Sequence, residues 1–133
     1  MKFYIASRLN NGAAVSTVSA LLEKRGGRLS YDWTKIQCPK NLDALKIIGE
    51  SEKKAVFDAD CLILLTPAGK SSHVEFGIAL GRKIPIFLYA QTAEELDCER
   101  ISAFYLVSGV KTFVGSLFSF VDFIYEEMKA VEI

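Results

Sequence analysis

The sequence predicts a three-layer α/β/α domain with a five-stranded parallel sheet in the flavodoxin-like order 2-1-3-4-5, residues 1–133 forming one unit. Three observations predict it. Short apolar runs alternate with segments of helical periodicity, which implies parallel strands joined by right-handed crossovers. The runs Cys61 to Leu65 and Ile84 to Tyr89 are nearly continuous in apolar residues, as buried central strands are when helices cover both faces. The chain has 133 residues and is 50% hydrophobic, enough for a single core.

Each element has its own signal. Lys2 to Ala6 is a short apolar strand that ends at Ser7, Arg8 and the turn pair Asn10-Asn11. Ala13 to Arg25 is helical, with Ala14, Val18, Leu21 and Leu22 on one face and Gly26-Gly27 closing it. Leu29 to Trp33 reads as the second strand. Asn41 caps a long helix running to about Phe57. Cys61 to Leu65 is the third strand and Ser72 to Gly81 the next helix. Ile84 to Tyr89 is the fourth strand, with Pro85 an irregularity near its start. Glu94 to Ile101 is expected to form a short helix, Phe104 to Val107 the last strand, and Thr112 to Ala130 the last helix. No internal repeat, low-complexity tract or linker interrupts the pattern.

Charge and cysteine usage exclude several functions. Sixteen Lys and Arg balance sixteen Asp and Glu, so there is no cationic surplus to neutralise a nucleic acid or an anionic membrane surface. No apolar run approaches the roughly 20 residues of a membrane span. Arg8 ends the N-terminal apolar run too early for a signal peptide. Cys38, Cys61 and Cys98 are odd in number and widely spaced, which suits reduced thiols in the cytoplasm. With one His and no close Cys pair, no metal site is expected, and no cofactor is called for.

In such a sheet, ligands bind beyond the carboxyl ends of the strands, near the switch point between the first and third. Four segments converge there: Ser7 to Asn11, Asp32 to Thr34, Thr66 to Ser72, and Ala90 to Thr92. The loop Thr66-Pro67-Ala68-Gly69-Lys70-Ser71-Ser72 leads into a helix and suits an anion, although an ordinary strand-to-helix turn reads the same way. It lacks the spacing of a P-loop and of a dinucleotide fingerprint. With no basic surplus, a phosphate would be held locally by that helix start, Ser71 and Ser72, with Arg8 or Lys70.

Two carboxylates stand out. Ser72-His73-Val74-Glu75 matches an S-x-x-E capping box. The functional alternative is a carboxylate kept ionised by the helix dipole in the first turn, as a nucleophile needs. Glu52 falls on the stripe of Leu45, Ile48 and Val56, so it either reaches water past the sheet or acts as an acid in apolar surroundings. Asp60 opens the third strand at the far end and reads as a turn residue. Tyr4 is either a core tyrosine or a partner for a catalytic carboxylate. Trp33, beside Asp32, either covers the core or stacks on a base. His73 reads as a surface residue of the first helical turn.

Taken together, Tyr4-Ile5-Ala6-Ser7, Glu52 eight residues before Asp60 in Asp58-Ala59-Asp60, the strand into Thr66-Pro67, and Glu75-Phe76-Gly77-Ile78-Ala79 resemble the nucleoside 2-deoxyribosyltransferase superfamily. That superfamily includes the 2'-deoxynucleoside 5'-phosphate N-hydrolases, and the resemblance covers about residues 2 to 90. It implies a glycosyl-transfer site for a small nucleoside or nucleotide. Glu75 would be the nucleophile at C1', Tyr4 would orient it, and Glu52 would take the place of the family's Asp that helps protonate the leaving base. The sequence departs from the family at Gly69, where transferases carry an Asp and the hydrolases usually a phosphate-binding Ser. That departure keeps two alternatives open: a non-catalytic nucleotide-sensing module, and a glycohydrolase of a larger nucleotide such as NAD. The family also implies a homo-oligomer. In the last helix, Phe113, Leu117, Phe120, Val121, Ile124 and Met128, widened by Val114, Phe118, Phe123 and Tyr125, offer either a subunit interface or a broad core contact.

Overall fold

The computed structural model describes residues 1–132, with side chains described to residue 130. The strands are β1 (Lys2–Ser7), β2 (Arg28–Leu29), β3 (Cys61–Leu65), β4 (Ile86–Ala90) and β5 (Val110–Val114). The helices are α1 (Gly12–Glu23), α2 (Leu42–Phe57), α3 (Lys70–Arg82) and α4 (Leu117–Glu132). All strand pairs are parallel, in the expected order β2-β1-β3-β4-β5. Helices α1 and α4 pack together on one face of the sheet, and α2 and α3 on the other.

The central strands follow from composition. Every residue of β3 and β4 is buried, because both faces of each are covered. Burying one Leu, Ile or Phe side chain contributes about 1.5–3 kcal/mol, and these strands place Leu62, Ile63, Leu64, Ile86, Phe87 and Leu88 fully in the core. Asn41 caps α2 as its residue type suggests, its side chain accepting from the Ala44 N–H at 2.8 Å. Pro85 lies just before β4, where it needs no ladder donor while its carbonyl still accepts from Leu62 N–H at 3.0 Å. Asp60 anchors the far end of the sheet by accepting from the Lys2 N–H at 2.7 Å.

The edges differ from the sequence expectation. The second strand is Arg28–Leu29, not Leu29 to Trp33. After Ser30, Asp32 accepts from the Thr34 N–H at 3.0 Å and turns Trp33–Lys35 into one 3-10 turn. The last strand is Val110–Val114, not Phe104 to Val107. Ser102 caps a 3-10 turn over Ala103–Leu106, which buries Tyr105 while leaving Phe104 and Leu106 exposed. The true edge strand begins after Gly109, whose φ of 92° reverses the chain. Its Lys111 and Thr112 face solvent, so it carries no continuous apolar signal. The expected helix over Glu94 to Ile101 shrinks to a turn at Ala93–Leu96. Helix α4 starts at Leu117 rather than Thr112, after Ser116 accepts from the Ser119 N–H at 3.1 Å.

Helix α4 spends much of its broad apolar face within the subunit. Phe120, Val121, Ile124 and Met128 are buried within the subunit, and Phe113, Leu117, Phe123 and Tyr125 pack partly against the same core. Phe118 is the large apolar side chain of that helix left well exposed among the described residues. No helix of the described residues is long and apolar enough to cross a membrane.

Candidate active site

Strands β1 and β3 end side by side, and the loops that leave them are tied together. Arg8 N–H donates to the Pro67 carbonyl at 3.0 Å. Ser7 donates to the Leu65 carbonyl at 2.7 Å and accepts from Asn11 Nδ2 at 2.8 Å. Above this seam opens a pocket of about 520 Å³, within the usual range for small-molecule sites.

The pocket has two unlike walls. Ser7, Arg8, Gly69, Lys70, Ser71 and Ser72 form a polar wall from the two loops. Trp33, Ile36, Pro39, Leu45 and Ile48 form an apolar wall from the segment after β2 and the overhanging half of α2. Glu75 and Glu52 both line the space.

Glu75 is the central group. It is the sixth residue of α3, and only 7% of it is exposed. The expected box between Ser72 and Glu75 does not form. The helix starts two residues earlier, and Ser72 Oγ instead accepts from the Gly69 N–H at 3.1 Å. The Glu75 carboxylate turns inward, where Oε2 accepts the hydroxyl of fully buried Tyr4.

This placement also corrects the expectation that the helix dipole keeps Glu75 ionised. The dipole acts within the first turn, and Glu75 lies beyond it. Burial pushes its carboxyl up to about 8 from an ordinary 4.5, against the Tyr4 hydroxyl, which favours the charged form. The neighbouring Glu52 raises it further, so the two carboxylates interact. The Tyr4 phenol is itself driven far up, first by burial and then by the adjacent Glu75 charge.

Glu52 reaches this position because α2 lifts away from the sheet. Ala55 and Val56 are buried against the core, whereas Leu42, Leu45 and Ile47 are exposed. Glu52 sits where burial gives way to overhang and is half-buried on the pocket side. It reaches the edge of solvent, and it faces a second carboxyl, that of Glu75.

The remaining predicted residues divide. Trp33 is 9% exposed and donates its indole N–H to the Ile5 carbonyl at 2.7 Å, so it covers the core and shows one side to the pocket. Asp32 does not line the pocket; its carboxylate holds the Thr34 turn and lies 3.7 Å from Lys35 Nζ. Pro67 lies behind the loop, facing a different cavity. Tyr4 sits beneath the floor and meets the pocket only through its bond to Glu75. Leu9 and Thr34 belong to segments expected at the site, whereas sequence reasoning missed Ile36, Gln37, Cys38, Pro39, Leu45 and Ile48. Among these, only the periodicity of Leu45, Ile48 and Glu52 on α2 carried a signal. Among the described residues, no cluster of His, Cys, Asp and Glu is arranged to hold a metal ion.

No family model matches the chain, and no curated protein matches it. Solved structures do. The CMP N-glycosidase of Clostridium botulinum superposes with a TM-score of 0.62 at 14% identity, covering 94% of this chain and 99% of that one. A conserved protein from Enterococcus faecalis gives 0.60 at 18% identity, covering 96% and 98%. A de novo designed Rossmann 2x3 protein gives 0.54 at 16% identity, covering 97% and 89%. At these identities the likeness is one of fold, and the designed protein shows that the fold is compatible with no natural activity at all.

Proposed function

We propose that this protein cleaves or exchanges the N-glycosidic bond of a nucleoside or nucleoside 5'-monophosphate, with Glu75 as the nucleophile. The observation that carries this is the buried Glu75 carboxylate, held by the Tyr4 hydroxyl and facing Glu52 in a pocket with one flat apolar wall and one cationic, hydroxylated wall. The resemblance to nucleoside 2-deoxyribosyltransferases assigns the same three residues, and the CMP N-glycosidase shares the fold.

The chemistry follows from the two acids. A base stacks on the apolar wall beside Trp33 and Ile36, while the sugar and any 5'-phosphate lie toward Arg8, Lys70, Ser71 and Ser72. In the reactive form the one proton shared by the two carboxyls sits on Glu52: ionised Glu75 attacks C1' as the C1'–N bond breaks, and Glu52 delivers that proton to the departing base nitrogen. The product is a glycosyl ester on Glu75. Glu52, now a carboxylate, takes a proton from water as the water oxygen bonds to C1' and Glu75 leaves. A second base in place of water gives transfer. This is the two-step logic of retaining glycosidases, in which one carboxyl serves first as acid and then as base.

The test is incubation with deoxynucleosides, ribonucleosides and their 5'-monophosphates, with and without a free acceptor base. Base release or exchange is expected from the wild type and not from Glu75→Ala. A folded wild-type protein that does neither overturns the proposal.

One observation favours a second reading, a nucleotide sensor without turnover. Gly69 offers no side chain where the transferases place an acid, and Glu75 is held protonated well into the neutral range. A sensor would show ligand-induced stabilisation that survives Glu75→Ala.

A further inference from the structure

A second cavity lies on the other side of the Thr66–Ser72 loop. Its volume is about 490 Å³, and it opens at the carboxyl ends of β3 and β4. Arg8 lines both this cavity and the pocket that holds Glu75. Arg100 lines only the second one, from the irregular segment between β4 and β5.

The chemistry of this cavity is unlike that of its neighbour. Two arginines line it, both exposed, and among the described residues neither is in an ion pair. The one carboxylate present is Glu95, whose Oε2 is already held by the Thr66 hydroxyl at 3.1 Å and the Gln91 N–H at 3.1 Å. The aromatic wall is rigid. His73 Nε2 and the Tyr105 hydroxyl share a hydrogen bond of 2.8 Å, and their rings stack with centroids 5.8 Å apart. Tyr105 is 7% exposed and also packs on Phe76, so the histidine is fastened to a fixed support.

We propose that this cavity binds a phosphoryl group between Arg8 and Arg100, beside the His73–Tyr105 pair. Paired guanidinium forks match the oxygens of a phosphate. In a chain of zero net charge, two arginines at one cavity are a local excess of positive charge. The site does not depend on glycosidic chemistry, since it holds no pair of free acids. Its phosphoryl group comes from one of two sources. It is the distal phosphate of a nucleotide whose sugar lies at Glu75, reached past Arg8, or it belongs to a separate phosphorylated ligand.

Inorganic pyrophosphate is the probe. His73 is the only histidine, so its ring proton signal in the NMR spectrum is a single resolved reporter. Pyrophosphate should shift that signal and bind measurably by calorimetry, in the wild type and in Glu75→Gln alike. Arg100→Gln should weaken binding by about tenfold or more and leave the histidine signal unmoved, with Arg100→Lys intermediate. Unweakened binding in Arg100→Gln, or a His73 signal that pyrophosphate does not move in the wild type, overturns the proposal. Adding a nucleoside diphosphate to Glu75→Gln separates the sources. If it shifts His73 and blocks pyrophosphate, one molecule spans both cavities. If pyrophosphate still binds beside it, the ligand is separate. Loss of turnover with pyrophosphate binding retained would count against the glycosidic reading alone.

Discussion

The Tyr4 hydroxyl donates to Oε2 of Glu75, joining the first strand to the third helix across 71 residues of chain. Both groups are buried, so the bond forms where charge is costly. It does two things at once. It satisfies a core tyrosine, and it gives Glu75 one fixed donor that favours the ionised form against a burial effect pushing the other way.

Tyr4→Phe removes that donor and leaves the cavity filled. The Glu75 carboxyl should rise above its present value, so the acid limb of the pH–rate profile moves to higher pH. The ionised carboxylate would also stand buried without its partner, at about 1–3 kcal/mol. The variant should therefore lose most stability near pH 9, where Glu75 is charged, and least near pH 6. Melting temperatures at the two pH values measure this. An equal loss at both would mean that the bond does not discriminate between the two forms of Glu75.

Glu75→Gln keeps an acceptor for Tyr4 and removes the charge. The folded-state carboxyl titrates near 8, above its ordinary 4.5, so the folded protein binds more protons than the unfolded one between those values. Its contribution to stability is thus fully present below about pH 4.5 and is lost as pH rises to about 8. The variant has no such dependence. Its melting temperature relative to the wild type should climb through that window and level off above it. A gap that is flat with pH would show that Glu75 is not displaced from its ordinary range.

Glu52→Gln separates two roles of one carboxyl. Removing its charge relieves Glu75, so the acid limb should move to lower pH. Removing its proton should slow base release by about 10²–10⁴-fold if it is the general acid. A leaving group that needs no protonation, such as an N7-methylated purine, should escape most of that loss. Equal slowing for both kinds of leaving group would confine Glu52 to setting the charge on Glu75.

Particular residues show how far the sequence could be read. The buried strands were legible because Cys61–Leu65 and Ile86–Ala90 are apolar on both faces, and that pattern has few other solutions. The edges were not. Phe104 to Leu106 is apolar yet forms a turn that exposes two of its side chains, while Val110–Val114 carries the adjacent exposed pair Lys111 and Thr112 and pairs on one side only. At the site, Glu52 was visible as an acid out of place on its stripe. The apolar wall at Ile36, Cys38 and Pro39 was not, because residues in an irregular loop have no periodicity to reveal which way they face. The direction of Glu75 was equally hidden. A capping box and an inward-turned carboxylate share the same local sequence, and only the contact with distant Tyr4 shows which way the side chain turns.

Gly69 offers the sharpest test of the polar wall. It precedes α3 with extended backbone, φ −104° and ψ −177°, which any residue adopts. A Cβ there would lie 3.8 Å from Arg8 Cα and 4.0 Å from Ser72 Oγ, ordinary contact distances. Gly69→Ser should therefore fold without rearrangement, and its hydroxyl can accept a free N–H of the first helical turn, a gain of a few tenths of a kcal/mol. The same hydroxyl would stand on the pocket wall between Arg8 and Ser72, at the position where the hydrolases that the sequence resembles usually place a phosphate-binding Ser. If the 5'-phosphate lies there, KM for a nucleoside 5'-monophosphate should fall while KM for the free nucleoside stays put. A parallel change in both constants would mean that the hydroxyl touches the sugar instead, and that the phosphate lies elsewhere on the wall.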